Sequence, residues 1–321
     1  MEQTASKPVW LLTDGNAGNL RQAEALAAAL GQDRPRFPLL AARPPWRWLA
    51  PRRAPAAQHA FGPAFAAELV RGPTPVLAIG CGRQGALAAR LAGERGARTV
   101  QILDPRIDPR HWDVVVVPAH DRLRGGNVVT LLGSLNPVDD AWLARARLDF
   151  PALCALPRPR TVLLLGGPTR HAPWTPGQLV STLARLRARA LDEGGSLLAT
   201  VSRRTPAALS VPLHQAMQGV SGLLWEGQSG GANPYRGLLA CADRIVCTPD
   251  SVNMVSEACA TAVPVHVIAP DLARGRVAVF LHSLLELGRI RPLEEPLEPF
   301  PVQPLRETAR AAAEVRRHLH A

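Results

Sequence analysis

Short runs of β-branched and other apolar residues alternate with Ala- and Leu-rich runs along almost the whole chain. This alternation is typical of parallel sheets whose two faces are covered by helices. Helices are expected between and after the strands. The predicted strands are Val9–Thr13, Arg36–Leu40, Val76–Ile79, Thr99–Leu103, Val114–Val117 and Val128–Leu131, followed by Thr161–Leu165, Ser196–Val201, Gly222–Trp225, Arg244–Cys247 and Val265–Ile268.

The chain consists of two similar halves, each of which opens with an apolar strand, a glycine-containing turn and a long helix. Its 321 residues are enough for two domains. The segment Phe150–Arg160 is rich in proline, which removes backbone donors and disfavours helix, so it is the best candidate for a linker. We therefore predict an α/β fold of two Rossmann-like domains, residues 1–153 and 154–321, that face a common cleft. The amphipathic run Pro304–His320 is predicted to form a helix that crosses back to the first domain.

The composition is that of a globular protein, and the features below favour the cytoplasm. No stretch of about 18 apolar residues is present, so no transmembrane helix is expected, and the polar start Met1–Pro8 lacks the layout of a secretory signal. The five cysteines have no CxxC spacing, and we expect them to be reduced, mostly buried thiols. The net charge of +11 comes almost entirely from arginine, because Lys7 is the only lysine. This excess indicates either a generally basic surface or a specific anionic partner.

Two turns of the first domain carry glycines where a strand ends and a helix begins. Glycine lets the backbone approach a ligand closely, and a helix N-terminus offers N–H groups to an anion. Neither turn is a Walker A loop, because no Gly-Lys-Ser/Thr follows. An ordinary tight turn, with a solvated arginine in the second case, is the alternative. The candidate ligand-binding residues are Asp14, Gly15, Gly18, Asn19 and Gln22 in the first turn and Gly80, Gly82 and Arg83 in the second.

Three turns of the second domain combine glycine, hydroxyl and arginine residues at the carboxyl ends of strands, where open α/β sheets bind ligands. Asp250 or Ser251 is a good N-cap for the helix that follows, and the first amides of that helix can bind a phosphate. The carboxylate of Glu257 can accept both hydroxyls of a ribose. A basic surface turn and a capped helix with a solvated glutamate are the alternatives. The candidate residues are Gly166, Gly167, Thr169, Ser202, Arg203, Arg204, Thr205, Ser251 and Glu257.

The stretch Asn233–Ala258, N-P-Y-R-G-L-L-A-C-A-D-R-I-V-C-T-P-D-S-V-N-M-V-S-E-A, resembles the signature of the elongated-mitochondria family. That family comprises mitochondrial-fission proteins of plants and their bacterial relatives. Leu164–His171, Ser202–Thr205, Trp10–Gln22 and Gly133–Asn136 resemble it as well. The bacterial members are regarded as glycosyltransferases of GT-B type, and the resemblance extends to the glycosyltransferase that forms lipid II.

The resemblance implies a role for individual residues in both domains. Glu257 matches the glutamate that binds the donor ribose, and Ser251 lies in the loop before it. Gly15, Gly18 and Asn19 match the loop that meets the acceptor, so the two turns of the first domain form the acceptor side. The family loop has a histidine where this chain has Asn19, and asparagine cannot act as a base near neutral pH.

By this resemblance we expect a metal-independent transferase that moves a sugar from a nucleotide diphosphate to a lipid-linked or cell-envelope acceptor. Arg203, Arg204 and the amides near Ser251 would stabilise the departing diphosphate. The nucleotide sugar is then a substrate, and no cofactor, metal or nucleic acid is expected. The alternative is a non-catalytic recruitment protein, because the plant members are linked to recruiting a dynamin-related GTPase. An NAD-dependent epimerase is excluded, because its Tyr-xxx-Lys pair cannot be formed from Tyr235 and Lys7, the only residues of their types.

The segment Arg43–Arg53 places Trp46 and Trp48 among arginines, and its prolines make a stable helix unexpected. Tryptophan favours the membrane–water interface, and basic residues favour an anionic surface. We expect either peripheral docking at the inner face of a membrane or an ordinary surface loop whose tryptophans pack on the first domain.

Overall fold

The computed structural model describes residues 8–32, 35–38, 40–227, 232–293 and 297–320. The chain forms two compact units, the first made of Met1–Pro137 with Glu307–Ala321 and the second of Val138–Arg306. Each unit contains one parallel sheet whose strands alternate with helices. The predicted α/β class with two Rossmann-like units is confirmed.

The first unit is built on five parallel strands that lie in the sheet in chain order. Alternate residues of its strands enter two separate apolar clusters, so both faces of the sheet are packed. The strands are β1 (Val9–Thr13), β2 (Leu77–Cys81), β3 (Arg98–Ile102), β4 (Val114–Pro118) and β5 (Val128–Leu131), and the helices are α1 (Ala17–Ala29), α2 (Trp46–Leu49), α3 (Gly62–Arg71) and α4 (Gly82–Gly93).

The second unit has a six-stranded parallel sheet in the order β11-β10-β9-β6-β7-β8. The strand β6 is central, with β9 on one side and β7 on the other. The strands are β6 (Arg160–Leu165), β7 (Ser196–Val201), β8 (Ser221–Trp225), β9 (Arg244–Cys247), β10 (Val265–Val267) and β11 (Ile290–Pro292). The helices are α5 (Asp140–Asp149), α6 (Pro151–Cys154), α7 (Pro176–Asp192), α8 (Ser210–Met217), α9 (Tyr235–Cys241), α10 (Val252–Cys259) and α11 (Gly275–Glu286).

The last helix, α12 (Glu307–His320), belongs to the first unit, as predicted. Its apolar face is fully buried there through Ala311, Ala312 and Val315. At its start, Glu307 accepts a hydrogen bond from the Leu132 amide at 3.0 Å. The chain therefore returns to the first unit after completing the second.

The predicted strand Arg36–Leu40 is wrong. A single parallel bridge joins Arg36 to Trp10, with Arg36 N–H donating to the Val9 carbonyl at 2.7 Å. Pro38 has no N–H to extend a ladder, which explains why no strand continues in the described residues. Residue 39 of this prediction lies outside the described ranges. The other predicted strands are present with their ends shifted by at most two residues.

The boundary between the units lies at residues 137 and 138 and not at the predicted 153 and 154. The reason is that α5 packs on α9 of the second unit, where Arg147 donates to the Ala240 carbonyl at 2.9 Å. Gly237 of α9 also leaves no room for a side chain, because an added Cβ would lie 2.6 Å from Phe150. The proline-rich candidate linker is thus occupied by α6 and by the start of β6.

Two of the cysteines are not the reduced thiols that we expected. Cys154 of α6 and Cys241 of α9 form a disulfide bond. The remaining three, Cys81, Cys247 and Cys259, are free and buried. Burial raises the pKa of the Cys259 thiol to about 12 and raises the pKa values of the other two well above the usual range. None of the described helices is both long and apolar enough to cross a membrane.

Candidate functional site

Three loops of the second unit begin at the carboxyl ends of adjacent strands. Gly166 and Gly167 follow β6, Ser202–Thr205 follow β7, and Thr248–Ser251 follow β9. Because β6 pairs with both β7 and β9, these loops are neighbours at one edge of the sheet. The sequence predicted this convergence from the position of each loop after its strand.

Hydrogen bonds between the loops hold them together. The Gly166 amide donates to Thr248 Oγ1 at 2.8 Å. The Thr205 hydroxyl donates to the Gly166 carbonyl at 2.6 Å, and the Ser202 amide donates to the Leu165 carbonyl at 2.9 Å. Contacts within the protein alone therefore join the three loops into a single hydrogen-bonded group at the ends of the strands.

Asp250 lies at the centre of this group. Its side chain is fully buried and accepts from the Gly167 amide at 2.9 Å, from Trp174 Nε1 at 3.0 Å and from Arg204 Nη2 at 3.0 Å. A buried carboxylate is costly unless it is hydrogen-bonded and paired, and here it is both. The Arg204 side chain is still 52% exposed, so a cation fixed on one side by Asp250 faces solvent at the carboxyl edge of the sheet.

The two glycines are required by contacts within the protein. A Cβ on Gly166 would lie 2.0 Å from Asp250 Oδ2, and one on Gly167 would lie 2.1 Å from the Arg204 carbonyl oxygen. Their amides also bond to protein atoms, as described above. We expected these glycines to leave space for a phosphate against the main chain, but Asp250 and Arg204 occupy that space.

The other predicted phosphate ligands differ in how they are engaged. Ser251 is the N-cap of α10, and its hydroxyl accepts from the Met254 amide at 3.3 Å. Thr169 Oγ1 accepts from the amides of His171 and Ala172, so its hydroxyl stabilises its own turn. Arg203 is exposed beside Arg204. Among these candidates the exposed charged groups are thus the two arginines.

Glu257 is buried and is not the solvated glutamate of the alternative interpretation, because only 3% of the residue is exposed. The hydroxyl of Tyr235, the first residue of α9, donates to Glu257 Oε2 at 2.6 Å. Tyr235 was not among the predicted site residues. The signal that could have found it is the Asn-Pro-Tyr turn, in which Asn233 Oδ1 accepts from the Tyr235 amide at 2.9 Å.

In the first unit, the turns after β1 and β2 also lie together. Asp14 Oδ1 accepts from the Asn16 amide at 3.1 Å and from Asn19 Nδ2 at 2.9 Å. A Cβ on Gly82, which has φ +76°, would lie 2.8 Å from Asn19 Nδ2. Three of the predicted acceptor-side residues, Asp14, Asn19 and Gly82, therefore lie together in or next to two adjacent turns. The carboxylate of Asp14 is exposed there.

The remaining acceptor-side candidates have structural contacts of their own. Gly18 lies inside α1, and the buried side chain of Gln22 donates back to the Gly18 carbonyl at 3.4 Å. A Cβ on Gly80 would lie 2.6 Å from a backbone oxygen of α4, so this glycine permits close packing of helix on strand. Arg83 is exposed, but its guanidinium donates to the carbonyls of Trp48 and Ala50 at 2.7–3.0 Å, so the protein fixes its direction.

The two tryptophans of the Arg43–Arg53 segment have different environments. Trp46 packs against the core and donates through Nε1 to the Pro55 carbonyl at 3.1 Å. Trp48 is 68% exposed, and the adjacent Leu49 is 40% exposed. Residues Trp46–Leu49 form one helical turn despite the prolines around them. Of the two tryptophans, only Trp48 is therefore largely exposed to solvent.

Comparisons with known proteins agree with this architecture. A family model described as "Mitochondrial fission ELM1" matches residues 17–319. The mitochondrial fission protein ELM1 of Arabidopsis thaliana is 33% identical over 279 residues, which cover 77% of this chain and 64% of the plant protein. The chain thus spans less than two thirds of the length of that relative.

Solved structures are similar over nearly the whole chain. The UDP-GlcNAc 2-epimerase of Methanocaldococcus jannaschii has a TM-score of 0.55 at 12% identity, covering 98% of this chain and 100% of that one. The UDP-GlcNAc 2-epimerase of Neisseria meningitidis, bound to UDP-GlcNAc, has a TM-score of 0.51 at 12% identity, covering 96% and 99%. At such identities the similarity shows the fold alone, and the predicted GT-B-like class is confirmed.

Proposed function

This chain belongs to the mitochondrial fission ELM1 family, and on that basis we propose that it is a metal-independent glycosyltransferase that uses a nucleoside-diphosphate sugar. The acceptor that we propose is a lipid-linked or cell-envelope molecule. The observation that carries the proposal is Arg204, which the buried Asp250 anchors at the edge where three strand-end loops meet. Open α/β sheets bind their ligands at this edge.

Arg204 would hold the diphosphate through the N–H donors of its guanidinium that do not bind Asp250. Arg203 and the first amides of α10 would add donors, and together they would stabilise the charge that develops on the departing nucleoside diphosphate. Glu257, six residues after Ser251 on the same helix, lies about 9 Å further along the axis. That separation suits a ribose whose diphosphate sits at the start of the helix.

In the first unit, we assign the acceptor to the turns after β1 and β2. With asparagine at position 19, the proton-accepting group of these turns is Asp14, and Asn19 orients it through the 2.9 Å hydrogen bond. We propose Asp14 as the general base that deprotonates the acceptor hydroxyl. Asp14→Asn should then abolish sugar transfer while nucleotide binding is retained, whereas Asn19→Ala should reduce transfer less.

The second candidate function is non-catalytic recruitment, which the resemblance to the plant members of the family also implies. It is favoured by Asn19, which cannot replace the histidine of the related glycosyltransferases as a base. In that case the chain would bind a nucleotide sugar or a partner, such as a dynamin-like GTPase, without transferring a sugar. Equal and measurable transfer by the wild type and Asp14→Asn would remove Asp14 as the base. No transfer with any donor would favour recruitment.

The nucleotide site is tested by calorimetry with UDP, GDP, CDP and ADP, each compared with its nucleoside. A contact between a charged group and phosphate is worth about 1.5–3 kcal/mol, so Arg204→Ala should weaken binding of the diphosphate roughly 10- to 150-fold. The nucleoside should lose much less. Arg71→Ala removes the same charge from an exposed position of the first unit and serves as the control. Equal losses for diphosphate and nucleoside would refute the phosphate role of Arg204.

We also propose that the exposed face around Trp48 docks on an anionic membrane surface at the cytoplasmic side. Wild-type protein should co-sediment with vesicles as the anionic lipid content rises, and added salt should weaken this binding. Trp48→Ala should reduce the binding roughly 10-fold. Val211→Ala, at a position that is 65% exposed in the second unit, is the control. Unchanged binding of Trp48→Ala would leave the segment with a structural role only.

A further inference from the structure

A cavity of about 510 Å³ lies in the first unit between β1 and the start of α3, and we call it the α3 cavity. Its floor is aromatic and buried. The ring centroids of Trp10 and Phe65 are 6.1 Å apart, and those of Phe61 and Phe65 are 5.0 Å apart. Phe37, which also lines the cavity, is 51% exposed. Among the described residues that line it, none was predicted for the donor or the acceptor, so the cavity is separate from both candidate sites.

The first turn of α3 forms one wall of the α3 cavity through Gly62, Pro63 and Ala64. The N-cap residue is Phe61, whose side chain cannot accept a hydrogen bond. The N–H groups of Gly62 and Ala64 belong to the first turn and therefore have no acceptor within the helix. Free amides at the positive end of a helix attract an anion.

Arg43 adds a cation to the same wall. Its Nη2 would lie 3.3 Å from a Cβ added to Gly62, so the guanidinium packs over the first residue of α3. The side chain is exposed, and it has no hydrogen bond or ion pair within the part of the chain that the structure describes. Arg36 also lines the cavity, but it pairs with Glu68 at 3.1 Å. The donors of Arg43 are therefore available to a ligand.

Trp10 provides an independent indication of a ligand. Only 1% of this residue is exposed, and its Nε1–H has no acceptor among the described residues. A buried indole N–H usually has a hydrogen-bond partner, because leaving it unpaired is costly. Since Trp10 lines the α3 cavity, an oxygen of a bound ligand can supply the missing acceptor.

We propose that the α3 cavity binds a phosphate monoester that carries an apolar chain. The amides of Gly62 and Ala64 and the guanidinium of Arg43 bind the phosphate, whose three terminal oxygens match this number of donor groups. The aromatic floor buries the chain, and Trp10 Nε1 donates to an oxygen of the ester. The inference goes beyond the proposed function and does not depend on the nucleotide site, which lies in the second unit.

Calorimetry tests the proposal with inorganic phosphate and with butyl, hexyl and octyl phosphate, each below the concentration at which it forms micelles. Each methylene that enters the cavity should tighten binding about 3- to 4-fold. Hexanol has the chain without the phosphate, and it should bind about 10-fold more weakly than hexyl phosphate, or weaker still.

Three variants locate the binding. Arg43→Ala should weaken the alkyl phosphates roughly 10-fold. Arg71→Ala removes the same charge from the other end of α3 and should leave their binding unchanged. Trp10→Phe keeps an aromatic ring without the N–H and should weaken binding about 3-fold.

Ala64→Trp keeps every donor of the site but fills the cavity from an exposed position, so it tests the proposal even if Trp10→Phe does not fold. It should weaken octyl phosphate by about 10-fold or more. Val211→Trp adds an indole at a position of the second unit that is 65% exposed, and it should bind octyl phosphate as the wild type does.

Four outcomes would overturn the inference. Equal affinities for inorganic phosphate and octyl phosphate would show that the aromatic floor takes no part. Hexanol that binds as tightly as hexyl phosphate would remove the anion from the proposal. Wild-type affinity for octyl phosphate in both Arg43→Ala and Ala64→Trp would place its binding outside the α3 cavity. Wild-type protein that binds no alkyl phosphate would refute the site altogether.

Discussion

Replacing Asp250 by asparagine tests the centre of the candidate site. Oδ2 accepts from the Gly167 amide and from Arg204, and Oδ1 accepts from Trp174 Nε1. An asparagine has only one oxygen, so at best it keeps the two bonds at the Oδ2 position. Its NH₂ group then faces the Trp174 N–H across a distance of about 3 Å.

The expected cost follows from the groups left without partners. Two buried donors, the asparagine NH₂ and Trp174 Nε1, become unsatisfied, and each costs about 1–3 kcal/mol. The lost ion pair with Arg204 adds little, because that side chain is half-exposed and its attraction is screened by water. We therefore expect Asp250→Asn to lower the free energy of unfolding of the second unit by about 2–6 kcal/mol.

The assay is urea unfolding monitored by hydrogen exchange of peptides from β6 and α10. These peptides report on the second unit, and the two units can unfold separately. Asp192→Asn, an exposed carboxylate at the end of α7 in the same unit, should leave the midpoint unchanged. A midpoint for Asp250→Asn equal to that of the wild type would show that the three hydrogen bonds do not stabilise the loops.

Three further predictions concern other parts of the chain. Gly166→Ala should prevent stable folding of the second unit, because its Cβ would lie 2.0 Å from a buried carboxylate oxygen, whereas Gly177→Ala, in open space within α7, should raise stability by about 0.5–1 kcal/mol; thermal unfolding compares them. Burial raises the pKa of Asp243, but hydrogen bonds from Arg160 and Arg158 and the charge of Arg160 together outweigh burial, so the net pKa lies below its usual value. This contribution to stability is present above the unfolded pKa and is lost as the pH falls through the folded one, so Asp243→Asn should flatten the fall of the urea midpoint below about pH 5. Native protein should resist alkylation by N-ethylmaleimide at pH 8, and mass spectrometry of the unfolded, unreduced chain should show adducts only on Cys81, Cys247 and Cys259.

The sequence predicted the strands well where burial alone determines them. Val114–Pro118 is buried on both faces, and a run of valines has few other places in a folded protein. The convergence of the Gly166, Ser202 and Ser251 loops followed from the general rule for carboxyl ends of parallel strands. The rule needs no knowledge of strand order, which explains its success here.

The features that the sequence did not predict depend on contacts between distant residues. Cys154 and Cys241 are separated by 87 positions, and no spacing marks them as a pair. The boundary was misplaced because α5 is a helix in either assignment, and only its packing on α9 decides its unit. Gly166 was interpreted as space for a ligand, since the sequence gives no sign that the side chain of Asp250 fills that space.

The buried charge of Asp250 bears on the choice between the two candidate functions, sugar transfer and non-catalytic recruitment. A fully buried carboxylate paired with arginine contributes little to stability compared with apolar residues of similar volume. The arrangement is useful when Arg204 needs a fixed direction and its remaining donors meet an anion, because preorganised donors bind charge without a further loss of entropy. We therefore favour a site that binds a phosphorylated ligand in both candidate functions, and the difference between them lies in Asp14 of the first unit.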